Sequence, residues 1–138
     1  MNFLKSLVLI LFILPFSSNA QLLFSEYAEG SSYNKYIEIY NYSSQVINLD
    51  DYAFPSCSNG CDIGQEWDYV NYFPEGETVN PGEVYVIAHP FATDPSNEYY
   101  TPEIATYSNH EFSYLSNGDD VFAIIEVDSG LVIDIIGE

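Results

Sequence analysis

The clearest alternation of apolar and polar positions runs from Tyr36 to Tyr40, with Ile37 and Ile39 on one side and Tyr36, Glu38 and Tyr40 on the other. A period of two marks a half-buried β-strand, because successive side chains of extended backbone point to opposite faces. Gly82 to His89 repeats the pattern, setting Val84, Val86 and Ala88 against Tyr85 and Ile87 before Pro90 ends it. Gln21 to Tyr27 reads as an opening strand, and Ala28 to Tyr33 as the loop before the strand that starts at Lys35. After a turn at Tyr42-Ser43-Ser44 come two short strands, Gln45 to Leu49 and Tyr52 to Phe54, separated by Asp50-Asp51. Pro55 to Pro81 loses regular pattern and is expected to be a long insertion. Phe91 to Asn109 is expected to be a polar, Pro-containing loop with at most one helical turn. Phe112 to Leu115 is a brief strand candidate. Beyond the Asn117-Gly118 turn, Asp119 to Val127 and Leu131 to Ile136 form a hairpin about Asp128-Ser129-Gly130, apolar on both faces, as expected in the middle of a sandwich. Short strands at close intervals, with no helix-length amphipathic run, predict an all-β antiparallel sandwich.

The first residues do not share this pattern. Met1 to Lys5 carries a positive charge, Leu7 to Phe16 is almost wholly apolar, and Ser17-Ser18-Asn19-Ala20 ends in small residues. That three-part form is a secretory signal peptide, with cleavage between Ala20 and Gln21. Residues 1–20 are therefore read as signal and 21–138 as one domain, a length that holds a single core. The mature chain is expected to be soluble and extracellular, since no later run approaches the roughly 20 apolar residues of a membrane span. Charge narrows the partners. The chain has 21 Asp and Glu against two Lys and no Arg, and with Lys5 in the signal, Lys35 is the one cationic side chain left. Such a surface repels phosphate backbones and anionic headgroups, so direct nucleic-acid binding is not expected. A hydrophobic content of 47% is enough to fill a core, so the acid excess reads as a solvated shell whose self-repulsion salt or bound cations relieve.

Several fragments, taken in order, resemble the lamin tail domain: Ser25-Glu26, Lys35 to Asn41, Ile47 to Tyr52, Asn80 to Ile87, Leu115 to Val121, and Val132 to Gly137. The resemblance covers residues 21–138, and its more specific parts are the strand after Asn34 and the Asn117-Gly118-Asp119 block. It implies an immunoglobulin-like β-sandwich and no catalytic residues. With its Cys57-to-Cys61 loop followed by Trp67-Asp68-Tyr69, the chain is similar to the secreted bacterial branch of that family. Modules of that branch sit beside extracellular nucleases, phosphatases or other hydrolases, or in surface-exposed multidomain proteins. A signal peptide is at odds with the nuclear role of lamins themselves.

Candidate chemistry is sparse. Cys57 and Cys61 are the only cysteines, and two in an exported chain predict a disulfide that pins Ser58-Asn59-Gly60. The rival is a metal site, but two thiols with no nearby His or second Cys pair leave zinc under-ligated. His89 and His110 lie at loop ends outside any catalytic motif, and no Ser sits in a nucleophile elbow. Both are read as surface or loop-packing groups, and the chain as no enzyme. Asp50-Asp51 and Asp119-Asp120 flank strands, where loop carbonyls would complete an oxygen cage for calcium; solvated turn acids are the plainer reading, and no other cofactor is expected. Trp67, Tyr69 and Tyr72 head a set of aromatics, with Tyr33, Tyr36, Tyr40, Tyr42, Tyr99 and Tyr100, larger than one small core encloses. They either anchor a protein or carbohydrate partner or cover the sandwich faces. Asn41-Tyr42-Ser43 fits the N-glycosylation pattern, incidental in a bacterial product.

Together these features predict a secreted, non-catalytic module for binding or adhesion, or for support of a neighbouring domain. The alternative is the N-terminal accessory part of an extracellular nuclease or phosphatase whose catalytic domain lies beyond residue 138. The last strand bears on the choice. It sends Leu131, Ile133 and Ile135 to one side and Val132 and Ile136 to the other, with no Lys, Pro or bulge to blunt it as an edge. A closing strand, from a longer chain or from a partner, is expected to cover it.

Overall fold

The computed structural model describes residues 21–62, 64, 66–115 and 118–137; residues 1–20, expected to be a signal peptide ending at Ala20, lie outside them. In chain order the elements are β1 (Leu22–Glu29), β2 (Lys35–Asn41), β3 (Ile47–Asn48), a 3-10 turn at Leu49–Asp51, β4 (Tyr52–Ala53), β5 (Ser56–Cys57), β6 (Thr78–Val79) and β7 (Val84–Ala88). Helices α1 (Pro90–Thr93) and α2 (Pro102–Tyr107) follow, then β8 (His110–Glu111), β9 (Val121–Glu126) and β10 (Val132–Ile136). They build an immunoglobulin-like sandwich. One sheet runs β1-β2-β7-β8, the other β10-β9-β4 with β5 also on β9, and β3 pairs with β6 in a small ribbon. Every pair is antiparallel except β7 with β8.

The alternation read in β2 and β7 becomes the packed face of the first sheet. Ile37 lies opposite Ile87 and Ile39 opposite Tyr85, and all four side chains are buried. Phe54, Phe122 and Ile124 of the second sheet pack against them, joined by Ile47, Leu49 and Val79. Each such side chain contributes about 1.5–3 kcal/mol when removed from water, so this layer is the main source of stability. Tyr85 carries its hydroxyl into the core, where the oxygen finds no hydrogen-bond partner among the described residues and burial pushes its pKa well up. On the other face of β7, Val86 is also buried, and α2 packs against that strand.

Several expectations change. Phe91 to Asn109 contains two helices, because Pro90 and Pro102 each sit in a first helical turn, where a missing N–H is no loss and the fixed φ suits the helix. The strand expected at Phe112–Leu115 lies two residues earlier. Asn109 places it there, its side-chain carbonyl accepting the Val86 N–H at 2.8 Å while its own N–H donates to the Val86 carbonyl. Gln45 to Leu49 keeps only β3 as strand, because Leu49 enters the 3-10 turn, capped by the Asn48 carbonyl on the Asp50 N–H. The stretch Pro55 to Pro81 holds β5 and β6, and bridges pairing Ala53 with Tyr72 and Ser56 with Tyr69 add a strand-like segment beside β4 and β5.

The terminal hairpin is also placed differently. β9 occupies the middle of its sheet, and β10 is an outer strand with Val132 and Ile135 exposed. Its edge is nevertheless blunted. The ladder shifts register in β10 between Val132 and Asp134 and in β1 between Phe24 and Glu26, and the Asp134 carboxylate accepts the Phe24 N–H at 2.8 Å. Bulges and a carboxylate turned onto an edge N–H both oppose pairing with another chain. A period-two reading cannot reveal them, since a residue that drops out of the ladder leaves no mark on apolar spacing. Gly137, at φ +108°, follows so close to the Asp120 backbone that a Cβ would collide with it.

Asn41, the last residue of β2, is fully buried. Its amide donates to the Gln45 carbonyl at 2.8 Å and the Val79 carbonyl at 2.9 Å, and its own carbonyl accepts the N–H and the hydroxyl of Ser43. Its main chain exchanges further bonds with Glu83 and Gly82. Asn41→Leu strands the buried Val79 carbonyl and is expected to destabilise the protein by about 3 kcal/mol. Urea unfolding measures this, and a loss below about 1 kcal/mol would show that the amide is dispensable.

Candidate functional site

The register of the second sheet lays Tyr69 opposite Ser56, and Ser56 opposite Phe122. Two positions along each segment, on the same face, come Asn71, Ser58 and Asp120. This is the core side of the sheet, since Phe54, Phe122 and Ile124 on it are buried. Toward Ser58 and Asp120 the core gives out and the face continues as the wall of a groove of about 390 Å³, within the range of small-ligand clefts. Phe112 and Tyr114, from the segment after β8, complete the lining. Their rings meet edge-on at 5.9 Å, and Tyr114 is 80% exposed. Tyr69, 60% exposed, is fixed by reciprocal backbone bonds with Ser56 at 2.9 and 3.1 Å.

The polar groups of the groove are anchored from behind. Asn71 donates one amide bond to the Phe54 carbonyl at 2.9 Å and another to the Ser56 hydroxyl oxygen at 3.2 Å. Asp120 accepts the Asn59 N–H at 2.8 Å, and the Ser58 N–H donates to Asp68 at 2.9 Å. A disulfide between Cys57 and Cys61 closes the same turn, in which Asn59 and Gly60 take left-handed φ of 59° and 85°. The bridge therefore steadies one rim of the groove. Trp67 is half-buried and does not line it, and Tyr72, exposed, falls on the opposite face from Tyr69 and Asn71. Of the three aromatics singled out in the sequence, Tyr69 alone belongs to the groove. Tyr114 is not among the expected aromatics, because Phe112–Leu115 reads only as a brief strand; two aromatics two residues apart beside a turn are the available signal.

The acidic pairs are not brought together. Asp119-Asp120 precedes β9, whereas Asp50-Asp51 adjoins its far end through the pairing of Tyr52 with Glu126. At roughly 3.4 Å per residue the two pairs lie about 20 Å apart. Asp50 accepts the Gly76 N–H at 2.9 Å and so ties a loop. Among the described residues no group of three or more His, Cys, Asp or Glu is placed to hold a metal ion. Lys35 lies 3.8 Å from Glu29.

His89 is buried and His110 half-buried. The Nδ1 of His89 accepts the Phe91 N–H at 3.1 Å, capping α1, while its ring packs 4.5 Å from Tyr33. Burial lowers its pKa, a bond to the Ser113 backbone opposes that, and the Lys35 charge adds to the lowering. His110 pairs with Ile87 in β8 and meets Phe54 edge-on; burial lowers its pKa against the opposing charges of Glu77 and Glu111.

A family model described as Lamin Tail Domain matches residues 15–138. Among curated proteins, none matches the chain.

Both histidines have folded pKa values below the ordinary one, so the unfolded chain takes up protons first as pH falls. Their contribution to stability is complete above about pH 6.5 and is lost progressively below it. His89→Asn keeps an acceptor for the Phe91 N–H and does not titrate, so from about pH 7 to 5.5 its melting temperature should fall less than the parent's. Parallel pH profiles would refute the assignment. Replacing Cys57 and Cys61 together by Ser is expected to cost about 2 kcal/mol in urea unfolding, the chain-entropy value for so short a loop.

Proposed function

Because the chain belongs to the lamin tail domain family, we propose that it is exported through residues 1–20, cut between Ala20 and Gln21, and works outside the cell as a non-catalytic binding module. In this role it docks on a protein or carbohydrate surface, for itself or for a neighbouring domain of a longer chain, and needs no cofactor. The observation that carries the reading is the aromatic and polar groove at the disulfide-bound end of an immunoglobulin-like sandwich. Disulfides persist in oxidising compartments, and among the described residues no helix is long and apolar enough to cross a membrane; both are compatible with export. The likeness of the Cys57-to-Cys61 loop and Trp67-Asp68-Tyr69 to the secreted bacterial branch supports it further. A non-catalytic role agrees with the positions of the histidines. His89 has its ring acceptor committed to the Phe91 N–H and is only 5% exposed, which leaves it poorly placed to take a proton from a substrate.

Expression with the native leader, followed by fractionation and intact-mass analysis, tests the reading. The expected product is exported, begins at Gln21 and carries one disulfide. A cell-retained chain that keeps Met1, or one with two free thiols, refutes it.

A further inference from the structure

We propose that the groove walled by Tyr69, Tyr114, Ser56, Asn71 and Asp120 is a subsite for a neutral oligosaccharide. The inference rests on the reading of the chain as a binding module and supplies its ligand class. Ser56 is only 6% exposed, and its oxygen already accepts a bond from Asn71. Its hydroxyl proton has no acceptor among the described residues, although a buried donor left unpaired is costly, and the residue lines the groove. Asn71 has both amide protons bonded within the protein, which leaves its carbonyl as the group to offer. Asp120 has one carboxylate oxygen on Asn59 and the other without a partner among the described residues.

The wall therefore presents one donor together with two acceptors. A sugar hydroxyl donates and accepts at once and meets both needs, whereas an ammonium has no lone pair for Ser56. An anionic ligand meets the Asp120 charge in a chain with 21 acidic residues and two basic ones, and is repelled. Neutral, hydroxyl-rich molecules remain. The exposed rings of Tyr69 and Tyr114 supply what such a ligand uses besides hydrogen bonds, flat apolar faces for the C–H side of a pyranose with a polar tip beside them. The backbone bonds of Tyr69 to Ser56 fix the main chain that carries the first ring, and the second makes an edge contact with Phe112, so less of the site has to be ordered on binding.

The test applies the purified protein to an array of neutral and acidic glycans, then titrates the free oligosaccharide of each hit by calorimetry. Binding to at least one neutral oligosaccharide is expected, weakened tenfold or more by Tyr69→Ala and by Tyr114→Ala, with unfolding midpoints unchanged because both rings are largely exposed. An empty array, a preference for acidic glycans, or binding that survives the double variant Tyr69→Ala, Tyr114→Ala overturns the proposal. So does saturable binding of choline without any glycan, which would make the groove a cation site. Correct export with an empty array would remove the saccharide and leave the export reading standing, so the two failures are distinguishable.

Discussion

Asn41 sits where β2 leaves its sheet, and its side chain ties that strand end to two other segments, the Ser43–Gln45 turn and β6. It binds the Ser43 turn, the Gln45 carbonyl and the Val79 carbonyl at the end of β6, all from a fully buried side chain. The geometry matters because β2 is a strand of period two. A slip by one residue would turn Ile37 and Ile39 to solvent and bring Glu38 inward. Apolar burial favours the observed register, and the amide fixes it, since its donors and acceptor find partners only when β2 ends where it does. Gly82 and Glu83, bonded to the Asn41 main chain, then set the start of β7 against the same strand.

The groove at the other end depends on a different economy of contacts. Its lining comes from residues 56–58, 69–71, 112–114 and 120–122, brought together by the second sheet and by the turn after β8. A disulfide between residues four apart contributes about 2 kcal/mol through chain entropy, less than one that closes a long loop. Its position gives it more influence than its magnitude, because the turn it closes also holds the Asn59 bond to Asp120. Asp120 is thus a groove residue and a structural tie at once, which makes its orientation independent of any ligand.

Period-two patterning reveals β2, β7 and β9, where alternate or continuous apolar positions meet the core directly. It fails where side chains satisfy the backbone: Asn109 creates the β7–β8 pairing through its own amide, and Asp134 seals the β1 edge through a carboxylate. The helices are four and six residues long, too short for a 3.6-residue period to register, and their prolines read as a strand end at Pro90 and as loop at Pro102. Cys57, Cys61 and Tyr69 stand out in the sequence by composition. Ser56 and Asn71 do not, because an ordinary serine and asparagine become site residues only through cross-strand register.

The amide of Asn41 also belongs to the Asn41-Tyr42-Ser43 acceptor pattern. With both its protons bonded inside the fold, a glycosyltransferase could reach it only on the extended chain. A eukaryotic secretory host that modifies extended polypeptides would act before β6 and β7 pack against the end of β2, and the attached glycan would then occupy the place of the Val79 and Gln45 carbonyls. The compartment in which ribosomes deliver this chain thereby decides whether the sandwich can close, although the amino-acid sequence is the same in both.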